Sequence, residues 1–135
     1  MAKLYRSREG EATSADTKTQ LTTLGSETAP GPLLVPAGAN KLVGVIVAAM
    51  ENFAAATGFS AFLRLEGPGL PGGPESVAIM AGGVPVATGG NSSSVATFIP
   101  LDIPTTPTNE ILVFAEMAGT DIGQVSVGVT LVFQI

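Results

Sequence analysis

The sequence predicts an all-β protein: an antiparallel β-sandwich, most simply a single jelly roll, with an immunoglobulin-like sandwich as the alternative. Three observations carry this. The C-terminal stretch places Val125, Val127, Val129, Leu131, Phe133 and Ile135 at every odd position, the period of a strand with one buried face. Gly (17) and Pro (10) make up a fifth of the 135 residues, clustered between short apolar runs as turn residues are. No apolar stripe repeats at helical spacing over a useful length. Strands punctuated in this way, without helices between them, define a sandwich or barrel.

Residues 1–31 read as an extended N-terminal arm. They are polar, with Leu4, Tyr5, Leu21 and Leu24 the main apolar residues after Met1, and they end at Pro30-Gly31-Pro32, a breaker. A helix over 7–20 lacks an apolar stripe. Either a solvated tail or an arm laid on a neighbour fits. Ordering costs roughly 1–2 kcal/mol per residue, so the arm is expected to order only in an assembly.

The sandwich domain spans 32–135. Val43, Val45 and Val47 alternate with Leu42, Gly44 and Ile46, a nearly continuous apolar run that predicts a strand covered on both faces. Residues 50–57 could form a short helix or a wide loop. Phe59, Ala61, Leu63 and Leu65 alternate with Ser60, Phe62, Arg64 and Glu66, a half-buried strand. Further strands are expected at 76–80, 84–87, 95–101 and 110–117, then the C-terminal one. Pro85, Pro100 and Pro104 belong at strand ends, edges or bulges, because proline cannot donate to a ladder.

Composition removes much chemistry. With no Cys, His or Trp, the chain has no disulfide, no thiolate nucleophile, no Ser-His-Asp triad and no His or Cys zinc site. Charge is scarce and uneven. Residues 1–18 hold Lys3, Arg6, Arg8 and Lys18 against Glu9, Glu11 and Asp16; residues 19–135 hold only Lys41 and Arg64 against eight acids. An ordinary soluble surface is about 25–35% charged. A body this bare fits either a Ser/Thr/Gly surface or one covered by other subunits, since interface cores are depleted in charge. The first residues lack the apolar core of a signal peptide, and no uncharged run is free enough of Gly and Pro to span a membrane as a helix.

Candidate motifs are weak. Gly67-Pro68-Gly69-Leu70-Pro71-Gly72 matches G-x-G-x-x-G, but a phosphate cradle needs a helix to open there, and Pro68 and Pro71 remove amides. It reads as a stiff, exposed loop. Asp102, Glu110 and Asp121 are candidates for acid/base work or a shared cation, yet nothing clusters like an EF-hand. Lys3, Arg6 and Arg8 form a basic tip, too small and too soon followed by Glu9 and Glu11 for firm nucleic-acid binding. It suits docking on an acidic neighbour, which the body supplies. Asn91-Ser92-Ser93 matches a glycosylation acceptor and reads as loop polarity.

Pro32 to Val47 (PLLVPAGANKLVGVIV), a turn leading into a buried strand, resembles the opening of small β-sandwich virion proteins. The plan of polar arm, cysteine-free sandwich, Gly/Pro/Ser/Thr loops and a final strand reaching the last residue is similar to capsid, cement and decoration proteins of viruses and bacteriophages. The resemblance implies a non-enzymatic structural protein located in the virion and made in the host cytoplasm without a cleaved signal. It implies a homotrimer or lattice, another capsid protein as partner, no cofactor or metal, and no membrane or nucleic-acid partner. The resemblance assigns no particular residue a role; the arm's own charged and apolar side chains make Lys3, Tyr5, Arg6, Arg8, Leu21 and Leu24 the candidate assembly residues. Rival readings are a filament subunit exchanging its N-terminal strand and a lectin-like ligand-binding sandwich, which the scarcity of aromatics disfavours.

Overall fold

Period-two alternation builds the strands, and their apolar faces set how two sheets meet. The computed structural model describes residues 3–12, 18–22, 31–51, 59–81, 84–85, 97–119 and 125–135. Among these, the strands in chain order are β1 (Lys3–Ala12), β2 (Lys18–Gln20), β3 (Leu33–Leu34), β4 (Lys41–Glu51), β5 (Phe59–Glu66), β6 (Glu75–Ala81), β7 (Val84–Pro85), β8 (Thr97–Pro104), β9 (Glu110–Gly119) and β10 (Val125–Gln134). One sheet has the order β1-β10-β4-β8 and the other β2-β9-β5-β6-β7, with β3 also paired to β9. All pairings are antiparallel. The expected all-β antiparallel sandwich is what forms.

The pairing is nested. The strand that opens the sandwich, β4, lies beside the last, β10, and β5 lies beside β9, as when a long hairpin is rolled into a jelly roll. β6 remains hairpinned to β5, and β8 takes the place beside β4.

The core lies between the sheets. Leu42, Val45, Leu131 and Phe133 from one sheet meet Leu63, Leu65, Ile111, Val113 and Met117 from the other, all fully buried. Each contributes about 1.5–3 kcal/mol by leaving water. Thr105 is buried and polar, and its Oγ1 donates to Ala39 O at 3.1 Å.

Three expectations change. On β4 the inward residues are Leu42, Val45 and Val47, because Val43 is the extra residue of a bulge between Leu42 and Gly44, and a bulge shifts the phase by one. The cover on the strand's outer side is incomplete among the described residues: Gly44 is buried under Phe98, while Val43, Ile46 and Ala48 remain partly exposed. The described part of the arm is ordered on this chain's own sandwich, with β1 paired along its whole length to β10. Backbone hydrogen bonds, invisible to hydropathy, do most of that work. The proline expectation holds: Pro85 ends the edge strand β7, and Pro100 and Pro104 lie on the edge strand β8. The segment 52–57 and the end of the 84–87 strand lie outside the described residues.

Candidate interaction surfaces

The arm seals one flank of the sandwich. β1 extends the first sheet beside β10, and β2 extends the second beside β9. Between them Glu9 N donates to Thr22 O at 2.9 Å and Thr22 N to Glu9 O at 2.8 Å. Leu21 enters the core with no exposed surface, and its side chain passes so close to Gly10 that a Cβ there would lie 2.9 Å from it. Leu4 packs at the margin of the same core.

Arg8 ties the two ends of the arm together. Its Nε donates to Gly31 O at 2.6 Å, its Nη1 to Ser7 O at 2.7 Å and its Nη2 to Pro32 O at 3.3 Å. Burial, with Arg6 beside it, holds the guanidinium below its usual pKa. Of the sequence-named arm residues, Lys3, Tyr5 and Arg6 are exposed on β1, Arg8 is half-buried and Leu21 is core; Leu24 lies outside the described residues.

The sheet edges are blunted. On β1 the N–H and C=O groups of alternate residues point away from β10, the direction in which Glu9 meets Thr22. Along that edge Arg6 Nη1 donates to Tyr5 O at 2.9 Å and Arg8 Nη1 caps Ser7 O. The opposite edge, β8, carries Pro100 and Pro104, and the second sheet is bounded by the short strands β7, β2 and β3. Prolines, short edge strands and charged side chains discourage a further strand from adding. This speaks against strand addition at β1 as the route of assembly.

The two outer faces differ in charge. On the second sheet, Lys18 Nζ lies 2.5 Å from Glu66 Oε2 and 4.6 Å from the centroid of the Phe114 ring, and Arg64 Nε lies 3.6 Å from the same carboxylate. The hydrogen bond from Lys18 is the main cause that holds the Glu66 carboxyl below the usual range, helped by the nearby charges of Lys18 and Arg64 and opposed by desolvation. Glu116 sits beside Lys18 on the same face. This network clips β2 to β5 across β9.

The first sheet's outer face carries no charge in its middle rows, and within it Val132 and Gly44 are buried. One cross-strand row runs Tyr5, Val132, Gly44, Pro100; the next runs Ser7, Thr130, Ile46, Phe98; Gly128 and Ala48 follow. None of these is charged. Ser7 Oγ and Thr130 Oγ1 hydrogen-bond each other at 2.8 Å, one hydroxyl donating and the other accepting. Tyr5 is 54% exposed and Phe98 48%, and the Phe98 ring lies over Gly44, where a Cβ would overlap it. Among the described side chains, the charges on this face stand toward its ends: Lys3 and the Lys41–Asp102 pair (3.0 Å) at one, Glu9 at the other.

The other sequence-named positions stay apart. The Gly67–Gly72 loop is followed by β6, not by a helix. It is less exposed than its composition implies: Gly69 and Leu70 are buried, Gly69 N donates to Glu110 O at 2.7 Å and Thr106 N to Gly69 O at 3.0 Å. Asp102 pairs with Lys41 on β8 while Glu110 opens β9 in the other sheet; Asp121 and Asn91 lie outside the described residues. Among the described residues, no three carboxylates come together as a metal site. The bare face was missed in the sequence. Its one legible trace was the doubly apolar run of β4.

No protein-family model matches the chain, and no curated protein matches it. Among solved structures it is similar to the VP2 subviral particle of infectious bursal disease virus, with a TM-score of 0.43, 14% identity, and coverage of 95% of this chain and 32% of that one. It is also similar to infectious bursal disease virus of the Gx strain, with a TM-score of 0.36, 17% identity, and coverage of 95% and 37%. The chain spans about a third of the length of either. At such values the likeness says nothing about what the chain binds.

Proposed function

We propose that this chain is a non-enzymatic structural subunit of a virion, of the capsid or cement type, that assembles with copies of itself and with another capsid protein. The observation that carries the reading is the contrast between its surfaces: blunted edges, one face clipped by ion pairs and one broad face without a charge at its centre. A soluble monomer has little reason to leave Tyr5 and Phe98 exposed, with Ile46 partly so, on one sheet face uncharged at its centre, since contiguous apolar patches mark interaction sites. The work of such a protein is mechanical. Apolar area buried between subunits stabilises a shell at roughly 25 cal/mol per Å² before the costs of association are subtracted.

The test is electron microscopy of the purified chain at high concentration, alone and mixed with shells of its source virus. Regular particles, sheets or decorated shells are expected. A protein that neither assembles nor binds shells contradicts the reading.

A further inference from the structure

We infer that the outer face of the β1-β10-β4-β8 sheet is where a second copy of this chain packs, sheet against sheet. The inference rests on the assembly reading above only for the larger structure in which the contact is used.

β4 is apolar on both sides; on its outer side Gly44 is covered by the Phe98 ring, while Ile46 and Ala48 face outward and keep part of their surface exposed. The cover must be apolar in turn, because the central rows offer no charge to pair with and an unpaired ion buried there would be costly. A second copy meets this condition with its own bare face. The chain carries a net charge of −5, so most approaches of two copies are repulsive, and this face is the one on which the described charges stand aside. The Ser7–Thr130 hydrogen bond leaves one hydroxyl proton for an acceptor on the second copy, so the centre of the contact need bury little unpaired polarity.

The rim charges fit too. Lys3 and Glu9 lie at opposite ends of the face on β1. A two-fold axis across the strands sets Lys3 of each copy toward Glu9 of the other.

Area sets the strength. Four strands about 4.8 Å apart, followed from Lys3 to Glu9 at about 3.3 Å per residue, give a footprint of roughly 400 Å² per copy. A standard interface takes about 800 Å² from each partner. One such contact is therefore weak. It suits an array of identical subunits, where several weak contacts act together, better than a single tight partner.

The experiment is sedimentation of the full chain from 10 µM to 1 mM, a range chosen on the order of that expected for such small interfaces, with Ile46→Lys on the bare face and Ser76→Lys on the opposite outer face. Reversible self-association is expected for the unsubstituted chain and for Ser76→Lys, weakened about 100-fold or more by Ile46→Lys. Thr130→Lys, beside Ile46, serves if Ile46→Lys fails to give a native circular dichroism spectrum. A chain monomeric at 1 mM, or association indifferent to both bare-face lysines, overturns the inference. Particles that persist with Ile46→Lys overturn this contact and leave the virion reading intact; self-association without particles does the reverse.

Discussion

Replacing Leu21 with alanine asks whether the arm belongs to the fold of a single chain. Leu21 lies eleven residues before the domain start expected from sequence, yet it has no exposed surface and fills the seam between the sheets beside Gly10. Leu→Ala at a buried site costs about 2–5 kcal/mol, depending on how far the site collapses. Here one wall is the arm itself, which can yield, so about 3 kcal/mol is expected. For a chain of this length that lowers the melting temperature by roughly 10 °C. Leu34→Ala, at a residue 57% exposed, should stay within about 0.5 kcal/mol. The assay is urea unfolding at low protein concentration, followed by circular dichroism for the sheets and by tyrosine fluorescence. The chain has one tyrosine and no tryptophan, and Tyr5 lies on β1, so its emission reports the arm alone. Coincident transitions that shift together in Leu21→Ala are expected. A Tyr5 signal that changes at lower urea than the sheets, or a Leu21→Ala variant as stable as the parent, would refute the arm's place in the monomer.

Gly44→Ala should destabilise by about 1–3 kcal/mol, read by thermal melting, because its Cβ would overlap the Phe98 ring and lie 2.9 Å from Ile99 O on the paired strand. Arg8→Met should cost about 1–2 kcal/mol in urea unfolding through its lost hydrogen bonds to Gly31, Ser7 and Pro32. With Ser7 O uncapped, it should also raise light scattering as a β edge opens. The lowered pKa of Glu66 means its clip is fully present above the ordinary glutamate range and is lost as pH falls through the lower folded-state value. Glu66→Gln should therefore flatten that part of the stability–pH curve, a loss of roughly 0.2–1 kcal/mol for a partly exposed pair.

Much of the sandwich was legible because the information is local. The odd positions from Val127 to Phe133 are buried, as their period requires, and β5 runs from Phe59 to Glu66 where the alternation places it. The bulge at Val43 was not legible, because a run apolar at every position carries no phase to read. The arm failed for a different reason. β1 has few apolar side chains and is held by pairing with a strand more than 110 residues away in sequence, which no local pattern encodes. The same holds for the bare face: Tyr5, Val132, Gly44 and Phe98 come together only once β1, β10, β4 and β8 are set in register. The scarcity of charge was visible from composition. Its concentration into one empty face was not.

The central claim, that copies meet through this face, is met most directly by a concentration series of amide and methyl NMR spectra. Resonances of Ile46, Ala48, Thr130 and Phe98 are expected to shift together with concentration while those of Arg64, Ser76 and Glu116 on the opposite face stay fixed. Shifts confined to the Arg64 and Glu116 face, or none at all up to 1 mM, a ceiling on the order of the weakest contact such an area supports, would contradict it.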